Sequence, residues 1–173
     1  MLPATRHLAI RDVADAITED LILESIELLE EARPWMAIPD RPIAVCALNP
    51  HAGDNGAIGT EEIDVIGPAL QKAEAKGFHV TGPVPADTVF HYAATGHYAA
   101  VICMYHDQGL APLKMLAFDE GVNITLGLPI VRTSPDHGTA YDIAGKNKAR
   151  PDSMISATRT ALQLCHVPNP WAR

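Results

Sequence analysis

Residues 43–48 (I-A-V-C-A-L) and residues 99–105 (A-A-V-I-C-M-Y) are short runs with no charge, no glycine and no proline. By length and lack of charge they read as strands buried on both faces, the condition of a parallel sheet covered by helices on each side. Around them lie segments with apolar residues at helical spacing. A helix is expected over residues 19–33, capped by Thr18, with Glu19 and Asp20 in its first turn and Ile22, Ile26 and Leu29 on one stripe that Leu21 and Leu28 widen. Arg33 is expected to close it ahead of Pro34, and Asp12 to cap a shorter turn. Another helix begins around Thr60-Glu61-Glu62, carries Ile63, Ile66, Leu70 and Ala73 on its apolar side and stops at Gly77. Further strands are expected at residues 2–6, 78–83, 121–126 and 130–133, and further helices after Pro85, at 106–116 and at 153–165. This alternation predicts an α/β fold, α/β/α layers around a largely parallel sheet.

Composition narrows the function classes. With 47% hydrophobic and 20% charged residues in 173, the chain has a globular profile. A net charge of -8 with scattered Lys and Arg argues against a nucleic-acid partner. No run approaches the roughly 20 apolar residues of a membrane span, and the start lacks the apolar segment of a signal peptide, so a cytoplasmic location and no membrane partner are expected. Cys46 and Cys103 fall in the strand-like runs and are expected to be small core residues; three widely spaced cysteines give no disulfide framework. Strand-like sequence begins directly after Met1, with no earlier element to pair with, so the chain is expected to start in the middle of a domain.

Three histidines stand where such a run gives way to a polar turn: His7, His51 and His106. If the runs are parallel strands, their C-terminal ends line one sheet edge, where open α/β folds take their ligands. Three neutral imidazoles converging there would hold a divalent metal and leave positions for substrate oxygens. Taken singly, each is equally a surface or capped residue, as His79, His91, His97 and His166 are read. Asp107 orients a histidine ligand, binds the metal itself, or caps the following helix. Lys114, Asn123 and Arg132 offer charge and donors suited to a phosphate or carboxylate, the alternative being a solvated lysine and an ion-paired arginine. In residues 136–146 (D-H-G-T-A-Y-D-I-A-G-K), Gly138 beside Thr139 and Ala140 permits close approach of a flat ligand, and Asp142 suits a ribose or adenine-side hydrogen bond; otherwise the segment is a polar loop before a helix. No Gly-x-Gly-x-x-Gly fingerprint is present.

Taken in order, N-P-H-A-G-D-N-G-A-I-G-T-E-E-I, G-P-V-P-A-D-T-V-F, M-Y-H-D-Q-G-L-A-P-L-K and G-V-N-I-T-L-G-L-P-I-V-R-T-S-P-D-H-G-T-A closely resemble the 4-hydroxythreonine-4-phosphate dehydrogenase family of vitamin B6 (pyridoxine) biosynthesis. The likeness runs from His7 to about Ala161. Residues 137–146 are also similar to the adenosine-side loop of isocitrate and isopropylmalate dehydrogenases, whose fold that family shares.

The resemblance implies an oxidoreductase with His7, His51 and His106 as metal ligands and a divalent cofactor such as zinc, magnesium or cobalt. It implies Lys114, Asn123 and Arg132 as substrate contacts, with Lys114 and Asp107 the candidates for catalytic groups. NAD, or NADP, would lie against His137, Gly138, Thr139, Ala140 and Asp142. The metal would hold the substrate's hydroxyl and amino groups while hydride passes to NAD, and the keto acid formed would lose CO2. The substrate would be 4-phosphooxy-L-threonine, or a related phosphorylated hydroxy acid such as threonate 4-phosphate, bound at a homodimer interface. Family members are longer. Residues 1–105 would form most of their second domain, which carries the metal and dimer surfaces; residues 106–173 would be the C-terminal part of the first, cofactor domain, whose N-terminal half is absent here. A truncated relative that binds without turnover is the alternative from a different class. A metal-dependent hydrolase lacks an evident general base and leaves residues 137–142 unexplained.

Overall fold

The computed structural model describes residues 1–172, which divide into two compact units, one up to Pro112 and one from Leu113 onward. The first unit is built on four parallel strands, β1 (Leu2–Pro3), β2 (Ile43–Cys46), β3 (Val80–Val84) and β4 (Ala100–Cys103), in the order β1-β4-β2-β3. Its helices are α1 (Val13–Ala16), α2 (Glu19–Trp35), α3 (Gly67–Ala75), α4 (Ala86–Ala94) and the start of α5 (His106–Ala117). The expected α/β architecture with a parallel sheet is the one observed.

Side chains alternate across the sheet. Ala44, Cys46, Val101 and Cys103 form one face and pack with Val89 of α4, with Phe90 and Ala93 closing the edge of that cluster. The other face supplies Ile43, Val45 and Ile102, all fully buried, as are Ile22 and Ile26 of α2 and Ile66, the residue just before α3. Cys46 and Cys103 are therefore the core residues expected. Hydrogen bonding to Cys103 and burial push the Cys46 thiol far above its ordinary range.

Three expectations need correction in this unit. First, α2 does not stop at Arg33 but continues through Pro34 to Trp35, whose indole is buried. Burying an indole of ~200 Å² at about 25 cal/mol/Å² contributes roughly 5 kcal/mol, more than the ~3 kcal/mol a proline costs in a helix interior. Second, Asp12 occupies the cap position of α1 without a side-chain cap bond, because its backbone still belongs to the preceding turn, Ile10–Asp12, and not to the extended region a capping side chain needs. Thr18 does cap α2, its Oγ1 accepting from the Leu21 amide at 3.2 Å. Third, the helix after Thr60 opens with a π-helical turn, Glu62–Ile66, which widens the spiral and rotates its first residues. Ile63 is 55% exposed and Glu62 takes the buried position.

The second unit pairs β5 (Val122–Ile124) with β6 (Thr133–Pro135), antiparallel, and adds α6 (Asp152–Cys165). The strand expected at residues 130–133 thus begins only at Thr133. Pro129 offers no amide to a ladder, and residues 125–132 form the connection. Ala157 and Leu164 of α6 are the buried apolar residues of this unit.

Candidate functional site

Because β1, β4 and β2 are adjacent and parallel, their C-terminal ends stand side by side. His7, His106 and His51 follow those three ends. Beyond the last ladder residues, buried side chains supplement the backbone bonds that continue from the Ala4, Thr5 and Ala47 amides to the Cys103, Met104 and Val84 carbonyls. Thr5 Oγ1 donates to the Met104 carbonyl at 2.7 Å, joining the continuation of β1 to that of β4. Gln108 accepts from the Met104 amide at 2.7 Å and donates through Nε2 to the Ala47 carbonyl at 2.7 Å, joining β4 to β2. Without Gln108 the Met104 amide and the Ala47 carbonyl would each be a buried backbone group lacking a partner, at a cost of about 1–3 kcal/mol, whereas the Met104 carbonyl also accepts from the Thr5 amide at 3.2 Å.

Above this layer the His7 and His106 rings lie 5.4 Å apart, centroid to centroid, inclined at 39°. That separation suits two imidazoles on one ion with metal–nitrogen bonds of about 2 Å. His106 Nδ1 lies 2.6 Å from Asp107 Oδ1. A carboxylate only accepts, so Nδ1 carries the proton and the Nε2 lone pair is left for a ligand. His51 sits in a turn, Pro50–Gly56, where His51, Ala52, Gly53, Asp54 and Asn55 all have positive φ. Among the described residues no three His, Cys, Asp or Glu side chains are gathered as a metal-holding group, so the structure brings together two of the three expected ligands.

Left-handed conformations are rare for residues with a Cβ and persist where the surroundings over-determine them. Glu62, 5% exposed, supplies that determination. Its Oε1 accepts from the Leu48 amide at 2.8 Å and the Asn49 amide at 2.7 Å, and its Oε2 from Asn49 Nδ2 at 2.9 Å. Asn49 Nδ2 also donates to Glu61 Oε2 at 2.6 Å. Gly53 closes against the same carboxylate: a Cβ there would lie 2.6 Å from Glu62 Oε2. The sequence gives no sign of the roles of Thr5 and Gln108, and it marks Glu62 only as part of a helix start.

In the second unit, Lys114 Nζ donates to the Asp136 carbonyl at 2.6 Å and pairs with its carboxylate at 3.1 Å. Asn123 faces Ser134 in the β5–β6 ladder and is exposed, and Arg132 Nη1 donates to Thr125 Oγ1 at 2.7 Å. His137 Nδ1 donates to the Gly138 carbonyl at 2.9 Å, Ala140 has a φ of 49°, and the Asp142 carbonyl accepts from Lys146 at 2.6 Å. Gly138 and Thr139 are exposed. Phe118, His137, Ala140, Ile143, Arg150 and Ser153 line an open recess of about 170 Å³ that also includes Asp119, the ion-pair partner of Arg150.

Residues 1–161 match the family described as pyridoxal phosphate biosynthetic protein PdxA. The chain belongs to this family. Among its relatives, the 4-hydroxythreonine-4-phosphate dehydrogenase of Caulobacter vibrioides is 53% identical over 161 residues, covering 92% of this chain and 48% of the relative. That of Methylorubrum extorquens is 47% identical over 169 residues, covering 97% of this chain and 48% of the relative. The crystal structure of the Klebsiella pneumoniae 4-hydroxythreonine-4-phosphate dehydrogenase superposes with a TM-score of 0.84 at 45% identity, over 94% of this chain and 49% of that one. The chain spans about half the length of the relatives it matches. No helix among the described residues is long and apolar enough to cross a membrane.

Proposed function

We propose that this chain carries the metal-binding and substrate-orienting half of an oxidoreductase that acts on 4-phosphooxy-L-threonine, or a closely related phosphorylated hydroxy acid, in pyridoxal phosphate biosynthesis. The observation that supports it most is the convergence of His7 and His106, 5.4 Å apart, at the C-terminal edge of a parallel sheet in a chain of this family.

On this reading His7, His106 and His51 hold a divalent cation such as zinc, magnesium or cobalt. Asp107 keeps the His106 ring oriented with Nε2 outward. When bound, the cation supplies Lewis-acid stabilisation of a developing negative charge on the substrate oxygen. Lys114, Asn123 and Arg132 engage the phosphate and carboxylate. Their present partners, an Asp136 carbonyl and carboxylate and a Thr125 hydroxyl, are groups that an anionic ligand replaces at modest cost. Hydride acceptance requires NAD or NADP, for which residues 137–142 and the partly apolar recess beside them offer an exposed glycine backbone and a lining surface; loss of CO2 from the keto acid so formed is a separate, redox-neutral step that a cation-polarised carbonyl would assist. Residues 1–105 and 106–173 correspond on this reading to parts of two family domains, and the complete site is formed at a homodimer interface.

The test is binding of 4-phosphooxy-L-threonine to the 173-residue chain with and without Co2+, by calorimetry, alongside NADH formation. Metal-dependent binding, weakened about tenfold or more by Arg132→Ala, without turnover by this chain alone, is expected. Binding indifferent to both metal and Arg132 would overturn the reading.

A further inference from the structure

The turn that carries His51 is the least self-sufficient part of the sheet edge. β2 ends at Cys46, after which the Ala47 amide donates to Val84 and the Ala47 carbonyl is taken by Gln108. The next two amides, Leu48 and Asn49, find no backbone acceptor and both converge on one carboxylate oxygen of Glu62, thirteen or fourteen residues further along. The second oxygen holds the Asn49 side chain and is packed against Gly53. A buried carboxylate costs several kcal/mol in desolvation unless its lone pairs are filled. Here three charge-assisted donors fill them, all from the segment that enters the His51 turn.

We propose that Glu62 is the positioning residue of that turn. Its carboxylate clamps both backbone amides ahead of Pro50, so that the left-handed run from His51 to Asn55 starts from a fixed point and His51 is delivered at the same sheet edge as His7 and His106. Glu62 touches neither substrate nor metal on this account; it acts through Asn49 and Gly53. The π-helical turn at Glu62–Ile66 belongs to the same device, since it is the local widening that places Glu62 inward and leaves Ile63 outside. The inference rests on the reading of His51 as a metal ligand.

Glu62→Ala and Glu62→Gln separate this role from ordinary packing. In the 173-residue chain, amide hydrogen exchange at Leu48, Asn49 and Ile102 is measured beside the affinity and visible absorption spectrum of bound Co2+. Glu62→Ala is expected to keep protection at Ile102, to lose at least about tenfold protection at Leu48 and Asn49, and to weaken Co2+ about 10- to 100-fold, the range for groups that orient a ligand. Glu62→Gln retains one acceptor oxygen for the two amides but opposes Asn49 Nδ2 with a second donor, so a loss of about threefold and a shifted Co2+ spectrum are expected. Unchanged exchange at Leu48 and Asn49 with unchanged Co2+ affinity in either folded variant overturns the proposal. So does a loss of affinity that merely follows the unfolded fraction. If Glu62→Ala does not fold, Glu62→Gln decides by the same criteria. Failure of the metal reading shows separately, as wild-type Co2+ affinity that His51→Ala leaves intact; the exchange rates then decide whether Glu62 clamps the turn.

Discussion

The two units hold themselves together by different means. In the first, Ile22, Ile26, Ile43, Val45, Ile102 and Met104 are fully excluded from solvent, and strands and helices share one apolar interior. In the second, Met115, Leu116, Phe118, Ile130 and Tyr141 are 63–89% exposed, and what ties the elements is hydrogen bonding from side chains to backbone. Ser153 Oγ donates to the Gly121 carbonyl and accepts from the Asp136 amide, Thr133 Oγ1 donates to the Ala157 carbonyl, and Asn169 Nδ2 donates to the Leu128 carbonyl. Area-based burial dominates stability, whereas each such bond contributes only about 0.5–1.5 kcal/mol. The sheet edge bearing the histidines thus rests on the unit with the larger buried core, while the proposed anion and cofactor contacts rest on elements that open at lower cost.

The largest effect is expected from Trp35→Ala, a loss of about 3–5 kcal/mol in chemical denaturation of the first unit; a cost below 1 kcal/mol would break the contrast. Leu164→Ala, the counterpart in α6, should cost about 2 kcal/mol, at the low end for a buried leucine, because the surroundings in the second unit are open enough to relax. Ser153→Ala should cost about 1 kcal/mol and raise exchange at the Asp136 amide, without effect on β2 or β4. The smallest effect is chemical. A thiol reagent at pH 8 should modify Cys165 alone in the native chain and all three cysteines in denaturant, since Cys46 and Cys103 are buried.

Much of the first unit was legible because its residues obey simple periods. The uncharged runs at 43–48 and 99–105 became β2 and β4, and Ile22, Ile26 and Leu29 became the inward stripe of α2. What the sequence concealed was set by tertiary partners. Trp35 drew α2 through a proline, and strand-end amides drew Glu62 inward in place of Ile63. At the site, the alignment of three histidines with three adjacent strand ends was readable from the spacing of the runs. The supports beneath them were not, because nothing local marks Thr5, Gln108 or Glu62 as the acceptors and donors of distant backbone groups. The second unit was read least well, its second strand displaced to Thr133–Pro135, since a ladder with little buried surface leaves a weak pattern.

The claim on which the rest depends is that the strand-end histidines act together on one cation. Co2+ titration of the chain, followed by visible absorption for wild type, His7→Ala, His51→Ala, His106→Ala and the α4 control His91→Ala, tests it directly. A single site, weakened strongly by each of the first three substitutions and untouched by the fourth, is the expected result. Co2+ binding that survives all three, or that His91→Ala weakens equally, would contradict it.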